Sequence, residues 1–233
     1  MTMQQLPLGV RLADRAVFES FLPARNAEAL EHARRAALGE PGVSWFCGPA
    51  GSGKTHLLQA ICAAAGGARR TAYVPLGELA QLGVEVLAGL PQIECLAIDD
   101  LDAVLGHLEW ERALFTLVRE VAESGATLVL AADRPPALLR WALADLGSRC
   151  GAAAVFQLRA LDEAEQQEAL RLRARLRGLE LPEDTSRWLQ RRFPRDMSQL
   201  YALLDALDEA ALAAQRRLTV PFIREVLARP GQL

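Results

Sequence analysis

The octapeptide GPAGSGKT at residues 48–55 is the part of the chain best suited to chemistry. In the pattern GxxxxGK[ST], glycines let backbone N–H groups turn inward around phosphate oxygens, and the following helix adds the positive end of its dipole. We expect Lys54 to reach the β- and γ-phosphates and Thr55 to hold Mg²⁺. A glycine turn that matches by chance is the alternative. Lys54 is, however, the only lysine among 26 basic residues, which favours a phosphate site.

The residues expected to bind a nucleotide follow one another along this loop and the start of the next helix. They are Gly48, Gly51, Ser52, Gly53, Lys54, Thr55 and His56. His56 lies inside the predicted helix. There, packing or a hydrogen bond is a better interpretation than catalysis, because the mechanism needs no general base at that position.

An acidic pair ends the apolar segment CLAIDD at residues 95–100. A phosphate-binding loop of this kind needs a carboxylate for its metal at the end of a neighbouring buried strand. We expect Asp99 to orient Mg²⁺ or its waters and Asp100 to polarise the attacking water. A strand that simply ends in a polar turn is the alternative. Many ATPases of this kind carry glutamate where Asp100 stands, so we expect weak turnover by the chain alone.

Three further charged residues extend the predicted site. Asp133 ends the segment TLVLAAD and is expected to sense the γ-phosphate or align water, although Asp-Arg-Pro-Pro is also a natural turn. Arg149, in DLGSRCG, is expected in a loop from which its guanidinium projects outward, although most surface arginines have no specific role. Arg195, in FPRDMSQL, stands in the first turn of a predicted helix. A cation is unfavourable there unless an anion lies nearby, so Arg195 is a candidate phosphate-reading residue.

Short apolar runs alternate with longer helical stretches over the first two thirds of the chain. This alternation predicts a doubly wound α/β sheet of buried parallel strands. The predicted strands are 43–47, 71–76, 93–98, 127–132 and 153–158, and the predicted helices between them are 54–65, 77–89, 108–124 and 136–146. After about residue 160 only helices are expected, at 162–177, 183–192, 195–216 and 220–229. The predicted domains are a tail at 1–10, an α/β domain at 11–160 and a helical lid at 161–233.

Four arginines in the first lid helix could suggest a nucleic-acid patch. They are Arg171, Arg173, Arg175 and Arg177. At 100° per residue they flank the apolar positions Ala169, Leu172, Leu176 and Leu179. We therefore expect them to be solvated flanks of an amphipathic helix, with a partner facing one of the two rows as the alternative.

The composition indicates a folded protein that is not built mainly to hold DNA. Apolar residues make up 51% of the chain, charged residues 24%, and the net charge is -3, whereas DNA binding relies on clustered Lys and Arg. The four cysteines are widely spaced and mostly lie in apolar runs, which favours reduced core thiols and a cytoplasmic protein. The sequence lacks the pattern of a signal peptide or a membrane span.

These motifs resemble the DnaA branch of the AAA+ ATPases. The resemblance rests on GPAGSGKTHLL, LAIDDLD, AADRPP, LGSRCG, PRDMSQLYALLDAL and VFESFLPARNAEAL, and extends from about Val17 to Leu227. It implies a P-loop AAA+ fold with a five-stranded parallel sheet and a small α-helical lid, and ADP or ATP with Mg²⁺ as cofactors. It also implies that Arg149 is the arginine finger completing a neighbouring subunit's ATP site, and that Arg195 is the lid sensor.

The N-terminal segment QQLPLGV is apolar for a chain terminus, so it is either docked on its own domain or offered to a partner. It is similar to the short peptides with which replication proteins bind the DNA polymerase III β sliding clamp. On that resemblance the partner-binding residues are Gln5, Leu6 and Leu8. Because the sequence stops at RPGQL, we also expect it to lack the helix-turn-helix DNA-binding domain of DnaA.

Taken together, these features resemble the DnaA-related regulators that inactivate DnaA. The resemblance implies a regulator of replication initiation that stimulates ATP hydrolysis by DnaA in trans, with DNA contacted mostly through the clamp. Whether the chain forms a homo-oligomer stays open. The alternative is a self-sufficient DNA-dependent AAA+ ATPase or helicase loader, which needs the same P-loop and acidic pair.

Overall fold

Five short parallel strands form one sheet in the computed structural model, which describes residues 16–192, 197–214 and 218–228. The strands are β1 (Gly42–Cys47), β2 (Thr71–Pro75), β3 (Cys95–Asp99), β4 (Thr127–Ala132) and β5 (Ala154–Gln157). Their order across the sheet is β2-β3-β4-β1-β5, and each pairing is parallel. The predicted five-stranded α/β fold is therefore confirmed.

Strands β3 and β4 are buried along their whole length, which is why they read as continuous apolar runs. Strands β2 and β5 lie at the two edges of the sheet, and β5, which pairs only with β1 among the described residues, is the more open of the two. Its Val155 is 42% exposed. The prediction that all five strands are buried is thus wrong for β5, since an edge strand keeps part of its surface open.

The register of the sheet determines which residues can meet. Cys47 at the end of β1 pairs with Ala132 at the end of β4, and Ile98 of β3 pairs with Leu130 of β4. The loops that follow β1, β3 and β4 therefore leave the sheet at the same end, where the carboxyl ends of the strands lie. In open α/β sheets, ligands bind outside these carboxyl ends.

The helices that accompany the sheet agree only partly with the predicted ones. They are α1 (Ala27–Leu38), α2 (Lys54–Ala65), α3 (Leu76–Leu79), α4 (Leu108–Ser124) and α5 (Ala144–Gly151). The bounds of α2 and α4 are those predicted, whereas the helix predicted at 77–89 is wrong. It is replaced by the single turn of α3 and by 3-10 turns, because Gly83 at φ +90° and Gly89 at φ +78° interrupt the chain.

The helix predicted at 136–146 is also wrong. A 3-10 turn at Pro136–Leu138 is followed by extended backbone at Leu139, and α5 begins only at Ala144. The indole N–H of Trp141 donates to the Pro136 carbonyl at 3.0 Å and so holds this irregular connection. Arg149 consequently lies in the last turn of α5 and not in a loop, as had been predicted.

A second compact unit comprises residues 19–24 and the chain from Ala160 onward. Its helices are α6 (Glu163–Leu176), α7 (Glu183–Arg192), α8 (Met197–Ala214) and α9 (Val220–Leu227). Their shared core includes Leu170, Leu189, Leu204, Leu207 and Ile223. Among the described helices of the chain, none is both long and apolar enough to cross a membrane.

The arginines of α6 and of its C-cap, Arg177, are not all solvated, which corrects the prediction. Arg173 is buried and ion-pairs with Asp205 at 3.3 Å, and the side chain of Arg177, 7% exposed, pairs with Asp205 and Asp208 of α8. Leu176 is 51% exposed, so the buried face of α6 is rotated from the predicted one. Two of the four arginines therefore serve the core of this unit.

Candidate functional site

The loop between β1 and α2 has the conformation that its glycines allow. At Gly48, with φ +155°, an added Cβ would stand 2.5 Å from the backbone oxygen of Leu158 and 2.9 Å from Ser52 Oγ. Only glycine fits such close packing. Gly51, at φ +74°, has open space where a Cβ would stand, and Gly53, at φ +98°, is the N-cap of α2.

Lys54 is the first residue of α2 and is buried, with 8% of its surface exposed. Its Nζ donates to the backbone oxygens of Gly48 at 2.6 Å and Pro49 at 3.3 Å, and to Asp133 Oδ1 at 3.1 Å. The ammonium group therefore lies inside the loop, and its ion-pair partner is the aspartate at the end of β4. Two residues predicted for the site from distant segments are in direct contact here.

Asp99 is fully buried at the end of β3, and both of its carboxylate oxygens accept hydrogen bonds. Oδ2 accepts from the hydroxyl of Tyr73 at 2.9 Å, and Oδ1 accepts from the backbone N–H of Asp100 at 2.9 Å. Burial, followed by the charge of Asp99, raises the pKa of Tyr73, so the phenol stays a proton donor. These two bonds fix the orientation of the carboxylate.

Asp100 follows in a left-handed conformation, at φ +54°, which is uncommon for a residue other than glycine. Its carboxyl lies beside Gly77, where an added Cβ would be only 2.8 Å from Asp100 Oδ2. Burial, and next the charge of Asp99, raise the pKa of Asp100, whereas Lys54 lowers it. The charged form of Asp100 is thus disfavoured beside Asp99, and a bound cation would relieve this repulsion.

Asp133 has a side chain that is 63% exposed, and its backbone N–H donates to Asp102 Oδ2 at 2.7 Å. Asp102 lies in the turn after β3 and therefore ties the end of β4 to the acidic pair. The site consequently holds a single ammonium group among four carboxylates, those of Asp99, Asp100, Asp102 and Asp133.

Two further predicted residues lie apart from these contacts. Thr55 is exposed in the first turn of α2, as a metal-binding hydroxyl requires. His56 Nε2 is 3.0 Å from the backbone oxygen of Val17, so this histidine is hydrogen-bonded to the segment that precedes α1.

Arg149 is exposed, and its Cζ lies 5.4 Å from the ring centroid of Phe115 on α4. In the part of the chain that the structure describes, it forms no ion pair with a carboxylate. A guanidinium in this state is supported from one side and available to an external anion.

The residues present fit a nucleoside triphosphate or diphosphate with Mg²⁺. Ser52 Oγ is buried and has no hydrogen-bond partner among the described residues, although it faces the loop that would surround the phosphates. No described side chain caps the N-terminus of α2, which leaves its first N–H groups for an anion. The described residues hold no cluster of three His, Cys, Asp or Glu side chains suited to a metal. A P-loop magnesium site, however, uses few protein ligands besides phosphate oxygens and water.

Four of the predicted site residues lie outside the described residues. They are Gln5, Leu6, Leu8 and Arg195. Conversely, the sequence did not single out Tyr73, Gly77 or Asp102. Tyr73 offered the clearest signal, because a tyrosine inside a strand next to an acidic strand end needs a partner for its hydroxyl.

All four cysteines are buried and free of disulfides, as expected for core thiols. Burial raises the pKa of Cys150 to about 12 and also raises that of Cys47. These thiols therefore stay protonated at neutral pH, so none of them is a nucleophile in this site.

Comparison with known proteins gives two family matches that together span most of the chain. The model of the bacterial DnaA ATPase domain matches residues 12–156, and the model of the Hda lid domain matches residues 162–227. The boundary between the two matches falls close to the boundary between the two compact units.

Solved structures show the same fold. Domain III of the Thermotoga maritima replication initiation protein DnaA has a TM-score of 0.72 and 23% identity, covering 89% of this chain and 93% of that one. AMPPCP-bound DnaA from Aquifex aeolicus has a TM-score of 0.70 and 22% identity, covering 84% of this chain and 65% of that one. A Thermotoga maritima RuvB mutant has a TM-score of 0.63 and 17% identity, covering 90% of this chain and 70% of that one. On the family match over residues 12–156, the chain belongs to the bacterial DnaA ATPase-domain family of AAA+ proteins, and it carries a lid of the Hda type.

Proposed function

We propose that the chain is a nucleotide-binding regulator that stimulates ATP hydrolysis by DnaA in trans. The observation that carries this proposal is the exposed guanidinium of Arg149, which has no ion-pair partner among the described residues, in a chain whose lid matches the Hda model. An arginine with a structural role in its own chain would be expected to pair with a carboxylate there, as Arg173 does with Asp205. An arginine that acts on a partner must instead reach outward.

The chain's own site would hold ADP or ATP with Mg²⁺. Lys54 and the N-terminus of α2 would bind phosphate oxygens, Thr55 and Asp99 would hold the metal, and Ser52 Oγ would gain a partner. Bound Mg²⁺ would supply positive charge that offsets the phosphate and carboxylate charges. This proposal is supported by AMPPCP in the related DnaA structure from Aquifex aeolicus.

Asp100 and Asp133 are proposed to act on any water near the terminal phosphate, and Arg195 to read that phosphate from the lid. Both carboxylates belong to the group of four around Lys54, but Asp100 has a short side chain that lies beside Gly77. Asp133 is bound to Lys54. Neither is arranged as a strong general base, which supports weak turnover by the chain itself.

Arg149 would act across a subunit boundary, at the ATP of DnaA. A guanidinium presents planar N–H donors that match two phosphate oxygens, and it stabilises charge that develops in the transition state. Arginine fingers contribute roughly 10³–10⁵ to the rate of phosphoryl transfer. Arg149 can therefore accelerate ATP hydrolysis by DnaA strongly even if the regulator hydrolyses little ATP itself.

The N-terminal tail would bring the regulator to its place of action. Gln5 is proposed to hydrogen-bond at the rim of a pocket on the β sliding clamp, with Leu6 and Leu8 as apolar anchors. A short peptide segment gives modest affinity when binding has to order it. The clamp would therefore raise the local concentration of the regulator on DNA.

The proposal is tested by measuring ATP hydrolysis by DnaA with the full chain, in the presence of clamp-loaded DNA or of free DNA. We expect strong stimulation with the loaded clamp and weak turnover when DnaA is left out. Strong DNA-stimulated turnover by the chain alone would instead support a self-sufficient ATPase or helicase loader and contradict the proposal.

A further inference from the structure

Helix α4 supports the beginning of α5 through a fully buried carboxylate. Glu111 Oε2 accepts from the backbone N–H of Leu143 at 2.6 Å, and Oε1 accepts from the backbone N–H of Gly106 at 2.7 Å. Leu143 is the N-cap residue of α5. The charge of Glu111 is thus satisfied by backbone donors, and the start of α5 is fixed to α4.

The middle of α5 packs against an indole ring. An added Cβ at Gly147 would stand 2.6 Å from Trp141 Cδ1, so the helix approaches Trp141 as closely as a glycine permits. The rings of Trp141 and Trp45 lie 6.1 Å apart in an edge-to-face arrangement. Leu146 and Cys150 are fully buried on the same helix. The backbone of α5 is therefore held over its length.

The side chain of Arg149 is exposed on this helix, and its guanidinium lies over the ring of Phe115. Phe115 follows Glu111 by four residues on α4, which places both on the same face of the helix. One supports the N-terminus of α5, and the other supports the guanidinium in its last turn.

We infer that Phe115 is a positioning residue that holds the guanidinium of Arg149 ready for the partner's phosphate. The inference rests on the proposed function of Arg149 in trans. An exposed arginine otherwise populates several rotamers, and ordering it at the moment of reaction lowers the rate. The ring face attracts the cation at 5.4 Å without using any of the N–H donors that bind phosphate.

The expected effect is moderate and falls on the rate at saturation. For an exposed cation–π contact, replacing Phe115 by leucine should lower stimulation of DnaA roughly 2- to 5-fold. The concentration of regulator that gives half-maximal stimulation should not change, because the contact lies within the regulator. Tyrosine keeps the ring face, so Phe115→Tyr should restore the rate.

The test combines two measurements on the full chain with Mg²⁺ and ADP. The first is the ¹⁵Nε NMR order parameter of Arg149, assigned with Arg149→Lys; it should fall in Phe115→Leu and return in Phe115→Tyr. The second is the saturating rate of DnaA hydrolysis for the same variants, with Arg140→Ala as a control on a nearby exposed arginine. A normal order parameter or a normal saturating rate in Phe115→Leu would overturn the inference.

The two proposals fail in different ways. If Arg149→Ala stimulates DnaA normally, the proposed function fails, whatever the variants of Phe115 do. If Arg149→Ala abolishes stimulation while Phe115→Leu retains the full saturating rate, the function stands and the positioning role is wrong. A rate loss in Phe115→Leu that Phe115→Tyr does not repair would also contradict the role of the ring.

Discussion

Replacing Lys54 by alanine tests the phosphate site directly. In the free protein this removes the donor to the Gly48 oxygen and the ion pair with Asp133, whose side chain is 63% exposed. The lost bonds are local and solvent can replace part of them, so the melting temperature should fall by about 2–4 °C at most. The fold should therefore persist.

Nucleotide binding should respond much more strongly, because the buried ammonium group is the only lysine that can meet the phosphates. Truncating one partner of a buried charge pair costs about 2–5 kcal/mol, which corresponds to a loss of affinity of roughly 30- to 5,000-fold. Isothermal titration with Mg²⁺ and ADP measures this loss, with Arg140→Ala as a control. Lys54→Arg should also bind weakly, because a planar guanidinium does not fit the space of a compact ammonium. Equal ADP affinity in Lys54→Ala and the parent protein would refute the assignment.

Three further changes test other parts of the site and the tail. Tyr73→Phe removes a hydrogen bond to the buried Asp99 carboxylate, so it should reduce the free energy of unfolding by about 1–3 kcal/mol. It should also weaken ADP binding more in the presence of Mg²⁺ than in its absence. Equal losses of ADP affinity in both conditions would contradict a role of Asp99 in holding the metal. Asp100 has a raised pKa, so its charge destabilises the fold at neutral pH, and this penalty disappears as the pH falls below the ordinary carboxyl pKa. Without nucleotide, Asp100→Asn should therefore raise the melting temperature slightly at pH 7.5 and have no effect at acid pH. The opposite pH trend would contradict the raised pKa. Replacing Gln5, Leu6 and Leu8 together by alanine should abolish clamp binding, measured by surface plasmon resonance, and leave the melting temperature unchanged. A fall of several degrees in the melting temperature would mean that the tail docks on its own domain.

Elements with a strong local signal were predictable from the sequence. Helix α2 begins after a glycine loop and ends before Gly66, and helix α4 has a clear amphipathic period, so both bounds are those predicted. The strand β4 is a continuous apolar run and was also predicted with its observed bounds. The segment at 77–89 also carries spaced apolar residues, but Gly83 and Gly89 adopt positive φ and break it into turns.

The contacts between distant segments could not be read from local patterns. The pairing of Tyr73 with Asp99 depends on the register of β2 against β3, in which Pro75 lies opposite Asp99. The buried pairs of Arg173 and Arg177 with α8 depend on how two helices pack. A periodic pattern gives the face of a helix only approximately, so it placed these arginines in solvent.

The surroundings of Arg149 also could not be predicted from local sequence patterns. The motif identified the residue, but the helix that carries it and the ring of Phe115 beneath it depend on the packing of α4 against α5. Sequence alone therefore indicated which side chain to consider, and the structure added what holds it.

The most direct test of the central claim is the single-turnover rate of ATP hydrolysis by DnaA on clamp-loaded DNA with the Arg149→Ala variant. Arg140→Ala, an exposed arginine just before α5, is the matched control. We expect Arg149→Ala to keep ADP and clamp binding but to lose most of the stimulation, up to roughly 10³-fold, and Arg149→Lys to rescue it poorly. Normal stimulation by Arg149→Ala would show that the guanidinium is dispensable, and loss of the variant's own nucleotide would show that Arg149 acts on the chain's own site; either result would contradict a role in trans.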